Sequence, residues 1–255
     1  MGTESPACEV WRLSLRPGDV IKAPVWAVLS RQEQAQADRF RLAEDRVAYA
    51  AAHALLRLRL GEVVGRPVDA LHFESGSFGK PALQGPGPQF NLSHCRSMVC
   101  IAVSAQGAVG VDVEPLDRGD ELDLLALARD VLTLAEQAQL AVTGGPMAWT
   151  FMRLWTLKEA VVKACGEGLS RDLQSFGIEL HEEAPILWRV SSPSPSGPWR
   201  QDPRIQLRQW CLDAHALALA LAYSGSEPLV VQHHVLDLVE LARWAASGQG
   251  VPTTC

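Results

Sequence analysis

The sequence predicts an α+β fold made of two similar, pseudo-symmetric α/β halves, residues 1–108 and 109–255. Three observations predict it. The order helix, strand, turn, strand, strand pair occurs twice along the chain. Within each half the apolar residues switch between helical spacing and the two-residue period of a strand. The 255 residues are 47% hydrophobic and 20% charged, ordinary globular material with enough chain for a sizeable core.

In the first half, "CEVWRLSL" from Cys8 and "VIKAPVWAVLS" from Val20 predict an opening strand pair or meander. "RQEQAQADRFRLAEDRVAYAAAHALLRLRLG", residues 31–61, places Phe40, Ala43, Val47, Ala50, Ala54, Leu55 and Leu58 at helical spacing. Gly61 or Gly65, followed by Pro67, ends that helix. "LHFES" is a short alternating strand, "GSFGKPAL" a turn into another, and "QGPGPQ" a loop by composition. "FNLSHCRSMVCIAVSA" predicts two strands broken near Ser93 and His94.

The second half answers the first. "LDLLALARDVLTLAEQAQLAV" is helical, and Thr133 with Glu136 has the spacing of a capping box that starts a second short helix. Gly144, Gly145 and Pro146 break it. "MAWTFMRLWTLKEAVVKACGEG" predicts a long helix closed by Gly166 or Gly168. "SFGIEL" answers "LHFES", "APILWRVSS" follows, and "SSPSPSGP" predicts a flexible loop. "IQLRQWCLDAHALALALAY" answers the earlier strand pair. "LVVQHHVLDLVELARWAAS" predicts a strand and a closing helix, a tail that packs back on the body.

Bulk properties exclude several classes. A net charge of -6 argues against a nucleic-acid protein dominated by phosphate contacts. No apolar run is long enough for a membrane span, and "MGTESPACEVW" lacks the basic and apolar regions of a signal peptide. The six cysteines show no C-x-x-C pair and no zinc spacing. A cytoplasmic chain with reduced thiols is expected.

Four stretches could carry chemistry. In "GVDVEPL", Asp112 and Glu114 alternate with Val111 and Val113, so a strand points both carboxylates to one face. Such a pair is often merely solvated, but it also suits Mg²⁺, which takes carboxylate oxygens together with water and substrate phosphates. In "RLWTLKEAVVKACGEGLS", Trp155, Glu159 and Lys163 stand four apart on one helix face. A surface Glu-Lys pair is commonplace; a third metal ligand beside a phosphate clamp is the alternative. In "FNLSHC", Ser93 and His94 can bind a phosphate oxygen or sit as hydrogen-bonded core residues. Lys80 of "GKP" is a turn lysine placed for either solvent or phosphate.

The order of these stretches, "FGKPAL", "FNLSH", "GVDVE", "WTLKEAVVKACGEGL", resembles the 4′-phosphopantetheinyl transferases of the surfactin type, in the holo-carrier-protein synthase superfamily. "ADRFRLAEDRVAYAAAHALLR" is similar to that family's N-terminal helix. The resemblance spans roughly residues 38–180, and the two-half plan extends it over nearly the whole chain. It implies that Asp112, Glu114 and Glu159 hold Mg²⁺ against the pyrophosphate of coenzyme A. It implies that Lys80, Ser93, His94 and Lys163 contact the phosphates of coenzyme A, with Arg39 and Arg46 at the 3′-phosphate or adenine end. It also implies an active site in the cleft between the halves. Two departures stand out: Gln34 and Gln36 lie where some members carry lysines, and Cys95 stands where a serine is usual.

The implied reaction is transfer of phosphopantetheine from coenzyme A to a serine of an apo acyl or peptidyl carrier protein, releasing adenosine 3′,5′-bisphosphate. Glu159 and Lys163 are the residues expected to act in it, Lys163 on charge at the transferred phosphate and Glu159 as a possible base. A degenerate module that binds coenzyme A or a carrier without turnover is one alternative. A different Mg²⁺-dependent phosphotransferase or nuclease is another. Fatty-acid, polyketide and nonribosomal-peptide carriers all fit. Leu124, Leu125, Leu127, Val131 and Leu132 exceed what one buried helix face needs, so this segment is either core or an apolar docking patch for the carrier. Because one chain already holds two halves, a monomer is expected.

Overall fold

The computed structural model describes residues 8–76, 78–116, 121–142, 146–168, 171–181, 185–190, 199–201, 204–212, 214–222 and 229–248. The expected loop "SSPSPSGP" and the breaker Gly144-Gly145 lie outside the described residues. By contacts the chain forms two compact units. Unit 1 comprises residues 1–76, 81–106 and 230–255, and unit 2 comprises residues 77–80 and 107–229.

Unit 1 is built on a four-stranded sheet. Strand β1, Cys8–Ser14, pairs antiparallel with β5, Met98–Ser104, which pairs antiparallel with β4, Gln89–His94. On its other side β1 pairs in parallel with the tail strand β12, Val231–Leu236. Helix α3, Ala43–Val64, covers β4 and β5. Its alanine-rich stretch lets a wide face bury, from Val47 to Gly61. Gly65 closes it in the left-handed region at φ 63°, a conformation that favours glycine. The tail helix α7, Leu238–Ser247, caps itself through Asp237 and Glu240 and buries Leu241 and Trp244 in the same core. A small hairpin, β2 (Phe73–Ser75) and β3 (Pro81–Leu83), completes the unit.

Two expectations for this region are corrected. The segment from Val20 is no strand: Ala23–Val28 form a short helix, α1. Pro24 sits in its first turn, where a missing N–H costs nothing and the fixed φ suits a helix. Packing of Val25 and Val28 into the core decides the rest. The long helix expected over 31–61 is two helices, α2 (Arg31–Ala37) and α3. Ser30 and Glu33 form a reciprocal capping box at the start of α2. Glu33 also pairs with Arg57 of α3 at 2.6 Å, so the two helices fold onto each other around a nearly buried ion pair.

Unit 2 repeats the plan. Strand β6, Val109–Pro115, pairs antiparallel with β11, His215–Ala222, which pairs antiparallel with β10, Ile205–Leu212. Thus β6, β11 and β10 are connected as β1, β5 and β4 are in unit 1. The long helix α6, Met147–Cys165, takes the role of α3. Helices α4 (Glu121–Val131) and α5 (Leu134–Val142) precede it, split at the capping box that Thr133 and Glu136 form. A second small sheet holds β7 (Phe176–Glu179), β8 (Ile186–Val190) and β9 (Trp199–Gln201). The apolar residues of this segment divide by burial: Leu124 and Leu132 are core, Val131 packs against that core, and Leu125 and Leu127 are exposed.

Candidate active site

The register of β6 against β11 fixes which residues share a face. Gly110, Asp112 and Glu114 stand opposite Ala220, Ala218 and Ala216, while Val109, Val111 and Val113 stand opposite leucines. The small-residue face lies under α6. A Cβ at Gly110 would come within 2.0 Å of the Ala160 carbonyl oxygen and 2.4 Å of the Ala164 nitrogen. Only glycine lets the strand approach the helix backbone so closely, and that approach brings the charges of β6 and α6 together.

The result is a compact cluster. Lys163 Nζ donates to Asp112 Oδ1 at 2.6 Å, with the Asp112 side chain 5% exposed and that of Lys163 28% exposed. Such short charge-assisted bonds are among the stronger ones in proteins. Glu159, one turn before Lys163, faces the same group. Its Oε1 is buried and has no hydrogen-bond partner. Burial first, then the charges of Asp112 and Glu114, push its carboxyl above the ordinary carboxylate range, against the opposing pull of Lys163. Trp155, two turns before Lys163 on the same helix face, is partly buried against the core of unit 2 and stacks with Phe151 at 6.2 Å.

Lys80 belongs to the same unit. Its ammonium donates to the carbonyl oxygens of Val109 at 2.9 Å and Ala164 at 3.2 Å, and burial lowers its pKa. Among the described residues no group of three or more His, Cys, Asp or Glu side chains is placed to hold a metal ion by itself. Asp112, Glu114 and Glu159 nonetheless offer the hard oxygen donors a divalent cation takes, and one buried Glu159 oxygen lacks a hydrogen-bond partner. Mg²⁺ needs only one or two protein carboxylates when a substrate supplies phosphate oxygens.

The other expected residues lie in unit 1. Ser93 and His94 end β4, with Ser93 buried and the His94 ring edge-on to Tyr49 at 6.5 Å. Tyr49 in turn stacks on His53 at 3.9 Å. Arg39 donates to Gln36 and, with Tyr49, His53 and Leu92, lines a cavity of about 970 Å³. Arg46 pairs with Asp38 at 2.7 Å and lies over the Trp26 ring.

One further pair escapes the sequence reading. Lys158 and Glu136 are fully buried and meet at 3.0 Å. Lys158 also donates to the carbonyls of Leu173 and Phe176, and Glu136 accepts from the backbone N–H of Ile178. This network ties α5, α6 and β7 and so sets the rotation of the helix that carries Glu159 and Lys163. The capping box was the one signal of it in the sequence, and it pointed only to a helix start.

Comparison with known proteins identifies the family. Residues 108–220 match the profile of the 4′-phosphopantetheinyl transferase superfamily, and residues 21–106 match a profile described as the N-terminal part of 4′-phosphopantetheinyl transferase. The 4′-phosphopantetheinyl transferase HetI of Nostoc sp. is 31% identical over 185 residues, 71% of this chain and 77% of its own length. The 4′-phosphopantetheinyl transferase psf-1 of Bacillus pumilus is 31% identical over 184 residues, 70% of this chain and 77% of its own. The Synechocystis sp. relative slr0495 is 31% identical over 261 residues, 97% of this chain and 99% of its own. With both halves matched and such relatives aligned over most of their length, the chain belongs to the 4′-phosphopantetheinyl transferase superfamily.

Proposed function

We propose that the chain moves the 4′-phosphopantetheine group of coenzyme A onto a serine of an apo acyl or peptidyl carrier protein. The bond from the serine oxygen to the β-phosphorus forms, the bond from that phosphorus to the bridging oxygen breaks, and adenosine 3′,5′-bisphosphate leaves. The observation that carries this reading is the cluster of Asp112, Glu114 and Glu159 around Lys163, with its partnerless buried carboxylate oxygen. Asp112, Glu114 and Glu159 are the residues that would hold Mg²⁺, which when bound supplies positive charge against the pyrophosphate.

The chain's own residues do the rest. Lys163, held in place by Asp112, presents an ammonium to charge that builds on the transferred phosphate. Glu159 is also placed to take the serine proton, directly or through a water; a carboxylate that holds a metal is a weak base, so its metal role comes first. Ser93, His94, Arg39 and Arg46 are assigned to phosphates that do not react. The nucleophile comes from the partner, so the chain needs no reactive serine of its own. The test is mass measurement of an apo carrier after incubation with the protein, coenzyme A and Mg²⁺. A mass gain of one phosphopantetheine is expected, lost in a folded Asp112→Ala and on chelation of the metal. An Asp112→Ala protein that folds and turns over normally would rule out the site.

A further inference from the structure

We propose that Lys80 is a positioning residue, which holds the start of β6 to the last turn of α6 and so fixes the register of the charged cluster. Its two acceptors are telling. Val109 opens the strand that carries Asp112 and Glu114. Ala164 directly follows Lys163 in the helix. The Ala164 carbonyl is among the last four of α6, which have no N–H partner within a completed helix. A cation there also meets the negative end of the helix dipole. One ammonium thus satisfies an orphan carbonyl and ties it to the neighbouring strand.

The surrounding sequence makes room for this joint. Residues 78–80 belong to unit 2, although Gly76 and Pro81 on either side belong to unit 1. Gly166 and Gly168, both with positive φ, lie against this short segment. A Cβ on Gly166 would stand 3.4 Å from Lys80 Cδ, and one on Gly168 would stand 3.4 Å from the Phe78 carbonyl oxygen. The "CGEG" turn after α6 is shaped to receive "FGK". Gly110 shows how tight the underlying contact is, with no space for one carbon between β6 and α6. Freeing either end would let the strand and helix shift by a fraction of an ångström, and misplacement of about 1 Å at a reacting centre costs on the order of a hundredfold in rate.

The sequence reading gave Lys80 to a phosphate of coenzyme A, and the two roles predict opposite kinetics. A contact to a phosphate that does not react contributes uniform binding, so its loss raises KM. A positioning residue lowers kcat while leaving affinity alone. The kinetic arm rests on the transfer reaction proposed above; the exchange arm does not. The variants are Lys80→Met, which keeps the stem, and Lys80→Arg, which keeps the charge. Each is measured for transfer to an apo carrier, for coenzyme A affinity by calorimetry, and for amide hydrogen exchange over residues 109–112 and 161–166. For Lys80→Met, kcat should fall about tenfold or more, coenzyme A affinity should change less than about threefold, and exchange in both segments should quicken. Lys80→Arg should recover part of the rate and part of the protection; it also serves alone if Lys80→Met does not fold. Coenzyme A affinity weakened tenfold with kcat and exchange unchanged would overturn the proposal and make Lys80 a phosphate ligand. Unchanged exchange in both variants overturns it whatever the activity. If the wild-type protein itself modifies no carrier, the transfer reading fails while exchange still decides the role of Lys80.

Discussion

Replacing Glu159 by glutamine should stabilise the protein while destroying its activity. The carboxylate is half-buried beside Asp112 and Glu114, with one oxygen lacking a partner. Its folded-state pKa is raised, chiefly by burial and then by Asp112. The folded chain therefore holds this proton more tightly than the unfolded chain does. Below the ordinary carboxylate range both states are protonated and no penalty exists. As pH rises through the raised folded pKa the penalty becomes full, so near neutrality the ionised side chain works against folding. Glutamine keeps the shape, removes the charge and offers an N–H to the neighbouring carboxylates. Relief of a buried unsatisfied polar group is worth about 1–2 kcal/mol, or roughly 3–6 °C in Tm for a chain of this size. Thermal unfolding of both proteins at pH 8 and pH 4 checks the size and the sign: the gain should be present at pH 8 and mostly gone at pH 4. Added Mg²⁺ and coenzyme A should raise the Tm of the wild type more than that of the variant. A variant less stable than wild type at pH 8, or a gain that persists undiminished at pH 4, would refute this account of the cluster.

Other substitutions separate binding, chemistry and folding. Lys163→Ala should lower kcat for carrier modification by about a hundredfold with little change in KM for coenzyme A, whereas His94→Ala should raise that KM several-fold at nearly constant kcat, both read from initial rates. Lys158→Ala leaves the fully buried Glu136 without its 3.0 Å cation and should cost about 3–5 kcal/mol in denaturant unfolding. Leu125→Ser, at a side chain 41% exposed, should leave stability unchanged but raise KM for the carrier by about threefold or more, with weak dependence on salt, as an apolar contact requires. No change in KM, or a steep salt dependence, would place docking elsewhere.

The long helices were legible because their apolar period runs over many residues, and "GVDVE" was legible because strict alternation leaves little freedom about which face a carboxylate takes. "VIKAPVWAVLS" was misread because a short apolar run has no distinct period; only burial of Val25 and Val28 settles it as helix. The single helix expected at 31–61 failed for a different reason. Ser30, Glu33 and Arg57 form one network, and Arg57 is 24 residues away from its partner in sequence. A local pattern cannot show such a bond. Gly110 is the clearest case of hidden function: in the sequence it is one glycine before a strand, and only the approach of α6 reveals that the site depends on its missing side chain.

Lys158 and Glu159 are neighbours in sequence with opposite fates, and the contrast explains what the site can do. A helix turns about 100° per residue, so the two side chains leave α6 in different directions. Lys158 goes inward and is fully matched: one carboxylate, two carbonyls and the face of Phe176. Its network fixes the helix about its own axis. Glu159 and Lys163, thereby aimed at β6, are not matched in the same way. Lys163 answers Asp112, but a buried oxygen of Glu159 has no hydrogen-bond partner, and burial, with the charges of Asp112 and Glu114, raises the pKa of its carboxyl. A folded chain tolerates such a cost when the surrounding core more than offsets it. Here the offset is the apolar core of unit 2 packed behind α6, and the partnerless Glu159 oxygen in front is what a divalent cation would take up.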